Sequence, residues 1–301
     1  MERKFLYIIN PIAGSGTANT LQSKFEPLTQ RAGITVEWAH SSPTGNYTTI
    51  EKKIAENGFT DIIIAGGDGT VNQVISALRH LNVQFGIIPI GSGNGLARAA
   101  KIPMNPEAAL QLIIKESGKS TDAFLINSQF ACMLSGLGFD ATVAHAFAQQ
   151  PTRGLLTYIQ EGFKHFWKAP SYSFKLRINE QEFFIDAFMI SIANANQYGN
   201  NFTIAPRAKL NDGLLDVVIV PAQSRLSLLW QLGQQLLGFH SLHQWEESIQ
   251  SKKIIYGQLS KLEIENINYA LLHIDGDPAT STNSLSIQVL PQAFRLIRKS
   301  N

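Results

Sequence analysis

Between residues 61 and 72 the chain reads D-I-I-I-A-G-G-D-G-T-V-N, and no other stretch restricts its fold as much. Asp61 to Ala65 is short, β-branched and apolar, the pattern of a strand buried on both faces. Val71, Val74, Ile75, Leu78 and Leu81 then recur at helical spacing, so a helix is expected to open at Val71. Gly66-Gly67-Asp68-Gly69-Thr70 stands between the two. A tight strand-to-helix turn needs one or two glycines, not three around a carboxylate. The surplus lets backbone N–H groups turn inward on a ligand, and a helix N-terminus adds positive potential. Phosphate is the natural occupant. Asp68 would repel it unless the carboxylate holds Mg²⁺ or takes a proton from an attacking hydroxyl.

A second glycine element, Gly91-Ser92-Gly93-Asn94-Gly95, follows the strand-like Phe85 to Ile90 and precedes the helical Leu96 to Ala100. Adjacent parallel strands that end in glycine loops bring both loops to the carboxyl edge of one sheet, where α/β ligand sites lie. A third turn, Asn10 to Gly16, follows the apolar strand Phe5 to Ile9. The surrounding pattern alternates: helix Leu21 to Gln30, strand Ile34 to Ala39, helix Thr48 to Glu56. Asn105-Pro106-Glu107 then caps a helix over Ala108 to Ile114. This alternation predicts a mostly parallel sheet covered by helices. After Asp122 short strands dominate: Ala123–Ile126, Ser173–Ile178, Phe183–Ala193, Leu214–Val220, Lys261–Glu265 and Leu285–Val289. Helical segments near Leu155 to Trp167 and Leu226 to Phe239 interrupt them, and a second, β-rich domain is expected from residue 123.

Composition narrows the function. The 25 Lys and Arg against 23 Asp and Glu leave a net charge of +2, which gives no field for a polyanion and excludes nucleic acid as a partner. The single cysteine, Cys132, lies in the apolar run Phe130 to Leu134 and reads as a small buried hydrophobe. No apolar run approaches the ~18 residues of a membrane span, and the apolar stretch after Met1 is too short for a signal peptide. A cytoplasmic chain is expected. The P-loop motif, the third glycine of the dinucleotide fingerprint, the protein-kinase H-R-D and D-F-G pair, the G-x-S-x-G elbow and the H-E-x-x-H helix are all missing.

Taken in order, Ile9-Asn10-Pro11 with Gly14-Ser15-Gly16, Gly66 to Asn72, Gly91 to Asn94, Gly138-Phe139-Asp140, Asn211 to Asp216 and Asp275-Gly276-Asp277 closely resemble the diacylglycerol kinase and sphingosine kinase family. The likeness runs from residue 5 to about 297. It implies an NAD-kinase-like α/β nucleotide domain, 1–122 plus 285–301, and a β-sandwich lipid kinase domain, 123–284, with a cleft between them and the last strand returning to the first domain. It further implies that Gly66, Gly67, Asp68, Gly69, Thr70, Val71 and Asn72 wrap the phosphates of ATP, with Asn10, Ser41, Ser92 and Asn94 beside them. Asp212 and the backbone carbonyls of Lys209 and Leu214 match a structural Mg²⁺ site of bacterial members. Where those members carry Asp-Gly-Glu, with the glutamate as general base, this chain has Asp277, one methylene shorter. Gly91-Ser92-Gly93-Asn94-Gly95 is closer to the sphingosine and ceramide kinases than to the glycerolipid enzymes.

The expected reaction is ATP–Mg²⁺-dependent transfer of the γ-phosphoryl group to a lipid hydroxyl, with Asp277, or failing it Asp68, accepting the proton. A soluble-acceptor kinase related to NAD kinase, and a non-catalytic nucleotide- or lipid-binding protein, stay open as alternatives. Leu226, Leu229, Trp230, Gly233, Leu236, Leu237 and His240 share a helical face, and Phe163, Phe166 and Trp167 are flanked by Lys164 and Lys168. Either group suits a peripheral membrane contact or plain packing on the sandwich. Edge strands of the second domain would support a homodimer.

Overall fold

The computed structural model describes residues 2–13, 18–151, 154–196, 204–229 and 254–299. The first part alternates strand and helix: β1 (Lys4–Ile9), α1 (Ala18–Arg31), β2 (Thr35–His40), α2 (Thr48–Asn57), β3 (Asp61–Gly66) and α3 (Asp68–Leu78). β4 (Gln84–Pro89), α4 (Gly95–Ala99) and α5 (Pro106–Lys115) complete it. The four strands pair in parallel in the order β4-β3-β1-β2. Chain order therefore reverses between β1 and β3, which opens a crevice beyond their carboxyl ends. Every residue of β3 is buried, as expected for a strand covered by helices on both faces. Local signals set the helix ends. Asn105 Oδ1 accepts from the N–H groups of Glu107 and Ala108 at the start of α5, and Gly58 closes α2 in the left-handed region (φ 65°).

The second part begins with β5 (Gly118–Ile126), β6 (Gln129–Ala131), β7 (Leu134–Gly138), α6 (Phe139–Ala148) and α7 (Leu155–Phe166). Strands β8 (Tyr172–Ile178), β9 (Gln181–Ala193), β10 (Leu215–Pro221), β11 (Ile255–Leu259) and β12 (Lys261–Asn266) follow. The short β13 (Leu272–Ile274) and β14 (Asp277–Ala279) and the long β15 (Ser284–Ile297) end the chain. Period-2 alternation divides β9 and β10 between two cores. Ile190, Ile192, Val217 and Ile219 face the sandwich interior, whereas Met189, Ala193, Val218 and Val220 face a third core with Phe166. Both faces are covered, so these strands read as continuous apolar runs.

β15 joins the two parts. It pairs antiparallel with β12 and β5, then reaches the first sheet in parallel with β4, Leu296 opposite Phe85. Its register shifts between Leu290 and Phe294, and Gln292 there has φ 52°. Buried Asp122 holds this bend: its Oδ1 accepts from Gln292 N–H and its Oδ2 from Gly213 N–H, both at 2.7 Å.

Three boundaries differ from expectation. α3 opens at Asp68, not Val71, because extended Gly67 serves as N-cap and its carbonyl already accepts from Val71 N–H. Asp68, Gly69 and Thr70 are thus the first helical turn. β5 opens at Gly118, since it has β15 as partner along Gly118 to Thr121. The helix expected from Leu226 is present over 225–229; Trp230, Gly233, Leu236, Leu237 and His240 lie outside the described residues.

Candidate active site

The parallel strands deliver their loops to one edge. Asn10 follows β1; its N–H donates to Ala65 O and its Nδ2 to Thr70 Oγ1, each at 2.9 Å. Ser41 follows β2 and donates its N–H to Ile9 O at 2.8 Å. Gly66 ends β3, where a Cβ would strike the Thr70 side chain at 2.7 Å, so the turn into α3 closes only on glycine. The two glycine loops touch backbone to backbone: a Cβ on Gly91 would run into the Cα of Gly67. Asn94, itself at φ 53°, closes the second loop by accepting from Gly91 N–H and donating to Gly91 O.

The N-cap of α3 is Gly67, which has no side chain with which to cap the helix. The N–H groups of its first turn give the crevice a positive helix end. Asp68 does not fill that end. It bridges the loops instead, accepting from the N–H groups of Gly95, Leu96 and Asn94. Burial pushes its carboxyl up from the ordinary 3.8 to about 6 despite those donors, and the charge on Asp275 adds to the rise. Ionised Asp68 is thus disfavoured in the fold, a cost absent below pH 3.8 and complete above about pH 6. Asp68→Asn is expected to leave the thermal midpoint of the unliganded protein equal or higher at neutral pH. The difference from wild type should close on acidification through that window, which melts on either side of it measure. A midpoint that drops at neutral pH would remove this account of Asp68.

Asp277 faces the same loops from the second part of the chain. A Cβ on Gly69 would lie 3.0 Å from Asp277 Oδ2, so an exposed carboxylate stands directly over the first turn of α3. It is carried by the hairpin of β13 and β14, with Ile274 opposite Asp277 and Asp275-Gly276 as the two-residue loop. Both loop residues have positive φ (49° and 87°), the requirement of a type I′ turn, which Asp-Gly meets at little strain.

Sequence reasoning missed how that hairpin is held. Buried Asp275 turns its carboxylate inward, where it accepts from Cys132, Met133 and Leu134 N–H at 2.9–3.0 Å and from Asn72 Nδ2 at 2.7 Å. Asn72, expected at the phosphates, spends its amide on this link and on Phe130 O. Cys132 is buried with its thiol pushed well above the ordinary range by burial and by Asp275. Behind the hairpin, His273 Nδ1 accepts from Gly276 N–H at 3.2 Å, which leaves Nε2–H toward Asp140 Oδ2 at 3.4 Å. Ser191 Oγ donates to the same oxygen. The D-G dipeptide was the available signal for the hairpin; the partners of its side chain, 141 to 203 residues away, had none.

Asn10, Gly66 to Asn72, Asn94 and Asp277 are therefore one constellation, with Ser41 and exposed Ser92 on the same edge. Lys209, Asp212 and Leu214 precede β10. Asp212 is exposed and accepts from Leu214 N–H at 3.2 Å, and this loop bonds to the Asp122 joint through Leu210 O and Gly213 N–H. Among the described residues no three His, Cys, Asp or Glu side chains gather as a metal cage. One carboxylate with two carbonyls is still a donor set that suits Mg²⁺. Asp216 nearby has its carboxyl raised to about 7 by burial, with Asp212 adding to the rise and Gln258 and Arg207 opposing it.

Two family models match this architecture in sequence: the diacylglycerol kinase catalytic domain over residues 4–126, and the YegS C-terminal NAD kinase beta sandwich-like domain over residues 134–298. The chain belongs to the diacylglycerol kinase and sphingosine kinase family, among its bacterial, YegS-like lipid kinases. A relative from Chromohalobacter salexigens named "Probable lipid kinase YegS-like" is 27% identical over 246 residues, 79% of this chain and 76% of its own. Another of that name from Serratia proteamaculans is 28% identical over 290 residues, 94% of this chain and 89% of its own. A solved diacylglycerol kinase from Bacillus anthracis str. Sterne shares the fold, with a TM-score of 0.76 at 24% identity over 99% of this chain and 97% of that one. The mixed fold, an α/β part followed by a β-sandwich, agrees with the expected class.

Proposed function

We propose that the chain transfers the γ-phosphoryl group of ATP to the hydroxyl of a lipid of diacylglycerol or sphingoid type. The observation that carries this reading is the carboxylate of Asp277 held over the first turn of α3, where the two glycine loops meet. Phosphoryl transfer needs positioning and charge neutralisation more than covalent help. The N–H groups of Asp68, Gly69 and Thr70 orient the transferred phosphate, with Ser41 and Ser92 at its margins. Asp68 locks the two loops in one geometry and turns its own charge toward backbone donors and away from the phosphate. Asp277 takes the proton of the attacking hydroxyl. Mg²⁺ travelling with the nucleotide supplies charge neutralisation on the transferring group. Asp212 and the carbonyls of Lys209 and Leu214 would hold a second, structural Mg²⁺ beside the joint. The functional division we infer is 1–122 plus 285–301 for the nucleotide and 123–284 for the lipid. Among the described residues no helix is long and apolar enough to cross a membrane, so the acceptor would be met at the bilayer surface.

Phosphate transfer from labelled ATP–Mg²⁺ to a panel of lipids in mixed micelles, with NAD as a soluble acceptor, tests this directly. Label is expected in one lipid class. Label in NAD alone would overturn the lipid acceptor, and no label with ATP still bound would favour a nucleotide sensor.

A further inference from the structure

α7 is amphipathic in the reverse of the usual sense. Leu156, Ile159, Phe163 and Trp167, spaced along one side of the helix and its C-cap, are 76%, 43%, 68% and 58% exposed. The carboxylate on the helix, Glu161, is the group turned inward, only 7% exposed. It accepts from Gln150 Nε2 and faces the Nε2 of His165 at 3.3 Å and the Nζ of Lys164 at 3.6 Å. Phe166, for which the sequence leaves interface contact and plain packing both open, packs inward against Phe139 and Phe188. A soluble helix buries its apolar side chains and solvates its acid; α7 buries Phe166 and the acid alike and leaves a second apolar stripe in the open. Leu226 and Leu229, also exposed, lie on the helical turn that Arg225 fastens to Ala169 O, just beyond α7 in the chain.

We propose that this face seats the protein on an anionic lipid bilayer; the proposal rests on the lipid-kinase reading and names the surface through which its substrate is reached. The charge on the face selects the occupant. Lys164 and Lys168 stand exposed beside Phe163 and Trp167, and residues 155–168 hold no acid except the inward Glu161. Aromatic rings at headgroup depth with lysines reaching the anionic phosphates are the chemistry of an interfacial helix. A protein partner or a second copy would have to answer the same apolar stripe without those phosphates. The placement also serves the reaction: α7 packs on α6, and α6 packs on β13 and β14, the hairpin that carries Asp277. The greasy face is one helix removed from the proposed base.

Cosedimentation of the full-length protein with phosphatidylcholine vesicles, with and without phosphatidylglycerol, tests the proposal in the absence of ATP. Wild type should partition onto the anionic vesicles. The double variant Phe163→Ala/Trp167→Ala should lose about tenfold or more of that partitioning, and Lys164→Gln/Lys168→Gln should lose the preference for phosphatidylglycerol. Both variants should keep the wild-type thermal midpoint, and any turnover on a short-chain acceptor dissolved below its micelle concentration should be unchanged. Wild type that ignores both vesicle types, or a Phe163/Trp167 variant that binds as well as wild type, would overturn the proposal. So would a wild-type dimer that the same variant dissociates, because a second copy would then cover the face. Phe163-dependent binding without phosphorylation of any lipid would sustain the docking surface while the kinase reading fell.

Discussion

Asp277→Asn should lower kcat by about a thousandfold while leaving nucleotide affinity nearly intact. General-base catalysis by a positioned carboxylate is worth about 10²–10⁴ in rate, and an amide of the same shape cannot accept the proton. The exchange is close to isosteric and the residue is exposed at the tip of a hairpin, so the fold should not register it. Isothermal titration with ATP–Mg²⁺, alongside turnover on the lipid labelled in the acceptor panel, separates the two effects. Retention of most activity would move the base elsewhere, with Asp68 next in line. Asp277→Glu provides the converse. Its side chain keeps the carboxylate and carries it one methylene further, and it should keep activity within about tenfold of wild type.

Its neighbour should behave in the opposite way. Asp275→Ala is expected to cost about 3–5 kcal/mol of stability, because four donors buried around one carboxylate lose their acceptor together. An alanine at φ 49° adds strain that an Asp or Asn tolerates. At about 2–4 °C per kcal/mol for a chain of this size, the thermal midpoint should fall by on the order of 10 °C. Asp275→Asn keeps one acceptor oxygen and the turn preference, so it should recover much of that loss. It should also let the Asp68 carboxyl fall back toward its ordinary value, since the Asp275 charge is one cause of its rise. Equal melts for Asp275→Ala and wild type would show that the inward carboxylate does not hold the hairpin.

The part of this site that could be read in advance is the part made by local rules. Glycine at 91 answers to a backbone contact that a Cβ would strike, and at 67 to a tight one at 3.2 Å, so the loops stand out in the chain itself. Asn105 and Pro106 mark a helix start by their own chemistry, and β3 announces its burial on both faces. Elements whose identity depends on distant partners were silent. β13 and β14 are three residues each, too short for any alternation. β7 reads L-S-G-L-G, a turn-like string, because its glycines make room for Asp140 and for the Phe188 carbonyl in the folded chain. The stripe on α7 has the same periodicity whether it points in or out, and only the inward position of Glu161 decides it. The bond between Asn72 and Asp275 spans 203 residues and leaves no trace in either neighbourhood.

The route of β15 bears on how the chain is made. Phe294, Leu296 and Ile297 belong to the same core as Phe5 and Ile63, and Leu296 stands beside β4. A ribosome releases these residues after the strands of the sandwich. The α/β part therefore lacks some of its core when its own four strands emerge, and part of its apolar interior stays open while the sandwich is synthesised. Contacts between the two ends of the chain carry the greatest loop-closure cost and form late. A chain stalled before residue 284 would lack the strand that both cores share and would be handed to the quality-control machinery with both halves unfinished.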